Sequence, residues 1–479
     1  MDNAFFGRDA ILEDLAALWR KRVPSFVTCR GRRRIGKTTL IERFAQVSGA
    51  RLVKIEGLKP KAGLSNDDEL AHFAKQLHLQ TGAEETKPPH WLAAFVRLDR
   101  ELAGSRKTVV LLDEVSWMAH YDPTFTGTLK IAWDNYFKKH PKLVFVVCGS
   151  VSSWIADNII GEGSFYGRRS LDIVVPELPL DQCVRFWGKA AERADPAEIL
   201  DVLSVTGGVP RYLEEVDPSL SADENIRRLC FRPKGVLRDD FDEMFADVIT
   251  KAPTFTNQVL RTLIAAPRTA AEIAEAMNIV KNGHVSSALS QLEEAGMIIA
   301  DIGKNPLTGR DARERRYRLS DNYVRFYLKY IEPEKTVIDH GSYSFGALET
   351  LDGWSAVKGL AFENLVVNNA SLLLRKLGLG ASLLTSMAPY RKVGKRKGDG
   401  VQIDLLVQTR RSVCVVEVKR QREIGREVID EVADKVEKLP KRRGISVKTA
   451  LVYEGHLAPI VEADGYFDAI VPFRTLLGL

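Results

Sequence analysis

The stretch Gly31–Thr38, GRRRIGKT, limits what this chain can fold into more than any other. It follows the apolar run Phe26-Val27-Thr28-Cys29 and precedes a helical pattern, Thr39-Leu40-Ile41-Glu42-Arg43-Phe44. Strand, glycine loop, Lys-Thr and helix in that order are what a phosphate-binding loop needs. Gly31 and Gly36 let the backbone curl until its N–H groups face a phosphate. A helix beginning near Lys37 adds its N-terminal partial charge. Lys37 can reach β- and γ-phosphates, Thr38 can hold Mg²⁺ through its hydroxyl, and Thr39 completes the expected nucleotide-binding set. The three arginines inside the loop are expected to be solvated. A chance Gly-Lys-Thr turn would look the same over these residues alone, and the flanks are what favour the P-loop.

Further along, Thr108–Glu114 reads TVVLLDE, an apolar strand ending in two acids. In an open α/β sheet ligands bind at the carboxyl ends of the strands. Asp113 is expected in the Mg²⁺ shell, and Glu114 is expected to polarise the attacking water. Leu143–Ser150, LVFVVCGS, is another buried strand. Inserted between the two preceding motif strands, it would bring Ser150 to the γ-phosphate; Ser150 capping the next helix is the alternative.

The combination of FxGR ending at Arg8, GRRRIGKT, LLDE, CGS, Phe165-Tyr166-Gly167-Arg168 and Thr206-Gly207-Gly208-Val209-Pro210-Arg211-Tyr212-Leu213 resembles the archaeal-type ATPases of the STAND/AAA-like group. The resemblance covers the N-terminal half. It implies an ATP- and Mg²⁺-using ATPase core over 1–180 and a helical lid over 181–250. It also implies that Arg168 is an arginine finger, neutralising charge on the transferring phosphoryl group; a solvated basic turn is the alternative. Arg211 in the lid is a candidate nucleotide sensor, or part of a helix–helix turn.

From about Thr256 the pattern becomes helix, helix, helix, hairpin, which is a winged helix-turn-helix over 251–335, including an aromatic linker at Ser320–Tyr327. His284, Ser286, Ser287, Ser290 and Gln291 would line the recognition helix; Lys304, Arg310, Arg313, Arg315 and Arg316 would lie on the wing. Such residues suit phosphate contacts with double-stranded DNA. The recognition helix also carries Glu293 and Glu294, and a protein-contact module remains the alternative.

The last part, 340–479, places Asp404 in the run Val401–Val407 and Glu417 with Lys419 in the run Val413–Lys419. Residues two apart on a strand share a face. With Glu363 on a preceding helix, these match the PD-(D/E)XK nuclease pattern; a surface Glu–Lys pair on an edge strand is the alternative. Asp404, Glu417 and the Val418 carbonyl supply hard oxygens for Mg²⁺, and Lys419 can orient water or stabilise charge at the phosphorus. The family resemblance supports this reading, since such ATPases often carry a nuclease-type domain. Gln421 is a possible extension of the site. Arg391, Lys392, Lys395, Arg396 and Lys397 read as a basic loop able to grip a phosphate backbone, or as a solvated run.

These features together predict an α/β multidomain chain: a parallel P-loop sheet of ASCE/AAA type with a helical lid, a winged helix and a restriction-endonuclease-like domain. The expected function is ATP-controlled, Mg²⁺-dependent cleavage of nucleic acid, DNA first, by a homo-oligomer. The resemblance makes genome defence or mobile-element biology a fitting setting. A nucleotide-gated DNA-binding switch and a nucleic-acid motor are the competing functions. Composition adds limits. At 479 residues about three or four domains are expected. A net charge of +6 is too mild to establish nucleic-acid binding by itself. The five scattered cysteines lack metal spacing and imply no disulfides. Without a membrane-length apolar run or a signal-peptide pattern, a cytoplasmic location is expected, with no membrane partner.

Overall fold

The computed structural model describes residues 5–479 except 105, 151, 162–164, 166, 250–251, 281–282, 313, 380–383, 393, 395–399 and 441. The expectations on Tyr166, Arg313, Lys395, Arg396 and Lys397 therefore lie outside the described residues. The chain divides into two compact units: Gly7–Pro176 with Ala246–Thr250, and Met1–Phe6 with Glu177–Phe245 and Lys251–Leu479. Among the described residues, no helix is long and apolar enough to cross a membrane. All five cysteines are free and buried.

The first unit is built on β1 (Ser25–Arg30), β2 (Arg51–Glu56), β3 (Thr108–Asp113), β4 (Leu143–Gly149) and β5 (Arg169–Val174). They form an all-parallel sheet in the order β2-β3-β4-β1-β5. Every residue of β3 and β4 is buried, which their unbroken apolar runs require of a central parallel strand. Phe26, Phe145, Phe165 and Trp133 pack together on one side. Strand β4 lies between β1 and β3, and Arg30 pairs in register with Gly149. That register sets Ser150 beside the loop that follows β1. Arg168 lies in the turn that precedes strand β5. Arg169 opens an edge strand whose Arg-Ser-Leu-Asp start lacks the apolar run that marks the other four.

In the second unit, helix Pro253–Thr262, strand β6 (Arg268–Thr269), helices Ala270–Ala276 and Gly283–Glu294, and the hairpin β7 (Ile298–Asp301) with β8 (Arg316–Leu319) follow in order. The three strands form one sheet, β6-β8-β7. A five-stranded mixed sheet comes next: β9 (Leu384–Lys392), β10 (Val401–Thr409), β11 (Ser412–Ile424), β12 (Ser446–Leu457) and β13 (Ala469–Pro472). Strands β9, β10 and β11 pair antiparallel, and β11, β12 and β13 pair parallel. Helix Glu427–Lys438 connects β11 to β12 and buries Val428 and Val432 against one face. The other face shares its core with helix Trp354–Asn368 and with the helical segment that begins at Leu180. A buried ion pair, Asp201 to Lys358 at 2.5 Å, links that segment to helix Trp354–Asn368. Residues 181–230 are thus packed as part of the second unit.

Strand β9 also corrects an expectation. Arg391 and Lys392 end a strand and are not loop residues. Opposite them β10 carries a bulge: Ile403 pairs with Tyr390 but Leu406 pairs with Ala388, so Asp404 and Leu405 together face Pro389. A bulge re-aims side chains locally, and proline has no N–H to leave unpaired there.

Candidate functional site

The first site forms at the carboxyl ends of β1, β3 and β4. Gly31 has φ +146° and Gly36 φ +87°, and a Cβ on Gly31 would lie 2.7 Å from the Val175 carbonyl oxygen. Both glycines are therefore demanded by the loop. The Lys37 ammonium is buried and donates to the carbonyls of Gly31 at 3.0 Å and Arg32 at 3.1 Å, and to Ser150 Oγ at 3.3 Å. Thr38 Oγ1 donates to Asp113 Oδ2 at 2.6 Å. Thr39 is exposed on the first turn of the helix Lys37–Val47. Glu114 holds a left-handed conformation, φ +49° and ψ +49°, uncommon outside glycine. Its carboxylate is fixed by Ser150, which donates from its N–H at 3.0 Å and its hydroxyl at 2.6 Å.

The loop arginines depart from expectation. Arg32 is only 5% exposed, and Arg33 pairs with Asp247. Asp247, which Lys59 also contacts at 2.8 Å, comes from the returning segment Ala246–Thr250, too distant in sequence to be anticipated at the loop. Arg168 chelates Asp134, at 3.0 and 3.2 Å through Nε and 2.9 Å through Nη2. The Arg168 guanidinium holds the Asp134 carboxyl down at about 2. In the second unit, Arg211 pairs with Glu214 at 3.3 Å and Glu215 at 2.8 Å.

The second site lies where β10 and β11 separate. Leu405 faces Val416, which sets Asp404 and Glu417 side by side at the end of the ladder. The Val418 N–H donates to Asp404 Oδ2 at 2.9 Å. Glu363 projects from helix Trp354–Asn368. Burial, reinforced by Glu363, pushes Asp404 up to about 6; burial, reinforced by Asp404, pushes Glu417 up to about 7. Glu363 is raised by burial and by Glu417. Three acids that each raise another's pKa share one field.

Two lysines answer that charge. Lys435, on the crossover helix Glu427–Lys438, pairs with Glu417. Burial pulls its pKa down, but Asp404 and Glu417 outweigh it and the net shift is upward. Lys419 pairs with Glu431 at 2.5 Å. Lys419 still lowers both Asp404 and Glu417 by its charge, while the direct pair to Glu417 comes from the helix. The sequence carried a signal for this, since Lys435 falls on the same face as Val428 and Val432. Gln421 is exposed beyond the site. Among the described residues, no three Asp, Glu, His or Cys side chains are gathered closely enough to hold a metal ion. The donor set itself, carboxylate oxygens facing one another from β10, β11 and a helix, is the hard-oxygen chemistry that suits Mg²⁺. At the P-loop, the Thr38 hydroxyl against Asp113 suits it equally.

The remaining candidates are spread over the second unit. Ser286, Ser287 and Ser290 are exposed along helix Gly283–Glu294, and Ser290 donates to Glu294 at 3.1 Å. Arg310 and Arg315 are exposed, Lys304 is half-buried, and Arg391 is exposed at the end of β9. Arg316, expected on an open wing, instead donates to Glu272 at 2.7 Å and to the Pro267 carbonyl at 2.9 Å.

No family model matches this chain. An uncharacterised protein of Methanocaldococcus jannaschii is 23% identical over 407 residues, covering 82% of each chain. A Walker-type ATPase of Pyrococcus abyssi superposes with a TM-score of 0.50 at 15% identity, covering 68% of this chain and 96% of that one. The chain has the P-loop ATPase fold. The parallel order β2-β3-β4-β1-β5, with the lysine loop after β1 and the acid pair after β3, carries the same conclusion. The ORC2 protein of Aeropyrum pernix is 16% identical with a TM-score of 0.44, over 72% of this chain and 98% of that one.

Proposed function

We propose that this chain binds and hydrolyses ATP and uses that cycle to control a PD-(D/E)XK-type nuclease site that cleaves nucleic acid, DNA in the first instance. In this reading Lys37, with the loop N–H groups, holds the phosphates, and Glu114 orients the attacking water once released from Ser150. Arg168 leaves Asp134 to meet the transferring phosphoryl group. The three-helix and hairpin module is a winged helix, with Ser286, Ser287, Ser290, Arg310 and Arg315 contacting the backbone of the nucleic acid. Lys395 belongs to the same proposed contact set. Work as a homo-oligomer is part of the proposal.

Thr38 and Asp113 would hold one Mg²⁺; Asp404, Glu417 and Glu363 would hold another. Bound at the carboxylates, Mg²⁺ supplies charge neutralisation at a phosphate and acidifies water. The chain's own residues do the rest. Asp404 is oriented by the Val418 N–H, and Lys435 and Lys419 stand where an ammonium can stabilise negative charge building on a phosphate.

The observation that carries the proposal is the placement of Asp404 beside buried Glu417 at the end of the β10–β11 ladder, with half-buried Glu363 lining the same cleft as Asp404. Acids held this close repel one another, and a chain keeps them together for a cation or a reaction. The test is purified full-length protein with Mg²⁺ and plasmid or oligonucleotide DNA, with and without ATP. Cutting that disappears on chelation and in Asp404→Ala supports the reading. Cutting undiminished in Asp404→Ala would overturn it.

A second reading has one observation in its favour. Glu417 is already paired with Lys435. A nucleotide-gated DNA-binding switch with an inert nuclease fold would show tight DNA binding that responds to ATP, and no strand cleavage under any metal.

A further inference from the structure

The hairpin β7–β8 does not stand free. The Lys304 N–H donates to Ser386 Oγ at 3.2 Å, Gln408 Nε2 donates to the Lys304 carbonyl at 2.7 Å, and Arg442 Nε donates to the Leu307 carbonyl at 2.8 Å. At its base Arg318, 7% exposed, binds Asp301 at 3.1 Å. It also reaches Asn364 at 2.6 Å and Asn368 at 3.1 Å, on the helix that carries Glu363. These contacts fasten the hairpin to the mixed sheet and enclose a cleft of about 620 Å³. Lys304 lines it from the hairpin; Tyr390, Arg391 and Lys392 line it from β9; Glu363 and Asp404 line it as well.

The lining is selective about what can enter. A cleft of this size suits a small ligand or a short stretch of chain, and a double helix does not fit. Neither Lys304 nor Lys392 makes an ion pair among the described residues. A free phosphate would gain from those ammonium groups but be repelled by Glu363 and Asp404. A strand with phosphates spaced along it meets both conditions, because flanking phosphates reach the cations while a base lies against the half-buried ring of Tyr390. Cations along a groove with an aromatic platform are how single strands are held without regard to sequence.

We propose that this cleft binds single-stranded nucleic acid, about one or two nucleotides of it, and that substrate therefore reaches the carboxylates as a separated strand and not as intact duplex. The delivery to Glu363 and Asp404 rests on the nuclease reading above; the binding does not. It also changes the role of the hairpin, whose Lys304 side is a wall of this cleft.

The test is fluorescence polarisation of the full-length chain with labelled oligonucleotides of about twelve nucleotides, in chelator so that nothing is cut. Arms of single-stranded DNA, single-stranded RNA and blunt duplex DNA are compared, for the native protein, Tyr390→Ala and the double charge reversal Lys304→Glu with Lys392→Glu. Melting temperature reports whether each variant folds. A single strand, DNA or RNA, is expected to bind at least about tenfold more tightly than duplex, and to lose about tenfold or more in the double variant and a smaller factor in Tyr390→Ala. Whichever of DNA and RNA binds more tightly identifies the strand. Duplex bound as well as single strand, or single-strand affinity unchanged in a folded double variant, overturns the inference. Single-strand binding that behaves as expected, with no cleavage when Mg²⁺ is restored, would sink the nuclease reading and leave the cleft standing.

Discussion

Lys435 pairs with Glu417 across the face of the C-terminal mixed sheet. The partner nearest in sequence, Lys419, lies two residues further along the same strand and turns to Glu431 on the crossover helix. The helix thus supplies the ammonium that pairs with Glu417, and Lys419 acts on the acids by its charge without pairing to them.

The two pairs should differ sharply in energetic worth. Glu417 is only 4% exposed, so removing Lys435 leaves a buried acid without its closest cation. Lys435→Met is expected to cost about 3 kcal/mol in urea unfolding near neutral pH. Lys419 reaches an acid whose side chain is 45% exposed. Lys419→Met should cost less than about 1 kcal/mol. Equal costs would mean that Lys435 does not carry the charge of the acid cluster.

A separate buried acid sets a pH dependence in the first unit. Glu69 is 2% exposed, and both of its oxygens accept from the Leu58 N–H, at 3.2 and 3.1 Å. Burial pushes its pKa up to about 7, against the partial relief of that hydrogen bond. The folded state therefore holds its proton more tightly than the unfolded chain. Stability from this group is fully present at acidic pH, falls as pH rises from the ordinary carboxylate range through about 7, and is flat above that. Glu69→Gln keeps an acceptor for Leu58 and has no charge to bury. It should melt like the native protein near pH 5 and be more stable by about 2 kcal/mol near pH 8. Melting curves at the two pH values test this; an equal shift at both would remove titration as the cause.

Glu114 and Ser150 predict a split between binding and turnover. The Ser150 hydroxyl and N–H hold the Glu114 carboxylate, while Lys37 reaches Ser150 from the loop. Glu114→Gln keeps the shape and loses the charge that would polarise water. ATP turnover should fall about a hundredfold or more, with nucleotide affinity within a few-fold of native. Lys37→Ala should instead lose affinity itself. Calorimetric titration with a non-hydrolysable analogue separates the two, and an equal loss of affinity in both variants would contradict the division of roles.

The extent to which sequence revealed these sites follows from the physics of each element. Strands β1, β3 and β4 were legible because central parallel strands must be apolar along their length, and their ends carry the motif residues. Strand β5 was not, because an edge strand starting Arg169-Ser170-Leu171-Asp172 looks like a polar turn until its neighbour is known. The acids Asp404 and Glu417 were legible as charges inside apolar runs. The bulge at Asp404 was not, since nothing local distinguishes it from regular pairing. The pairing of Lys435 with Glu417 depends on how a helix docks on a sheet, which the strand's two-residue period does not encode. Arg33 was misjudged because Asp247 returns from a distant segment.

Arg168 supplies the last prediction. In this chain it is engaged by Asp134 through two of its nitrogens, and the pair holds the acid near a pKa of 2. An arginine held this way must exchange partners before it can meet a phosphoryl group. If it acts on a neighbouring subunit, Arg168→Ala and Lys37→Ala should each be nearly inactive alone, because one lacks the finger and the other the nucleotide. Mixed, they should recover turnover, since a subunit with Lys37 intact can receive Arg168 from the other variant. Recovery toward about a quarter of native activity at equal mixing would place the contact between subunits. No recovery, with both variants folded and assembling, would confine Arg168 to its own subunit. Native-level turnover in Arg168→Ala alone would leave the Asp134 pair as its whole role.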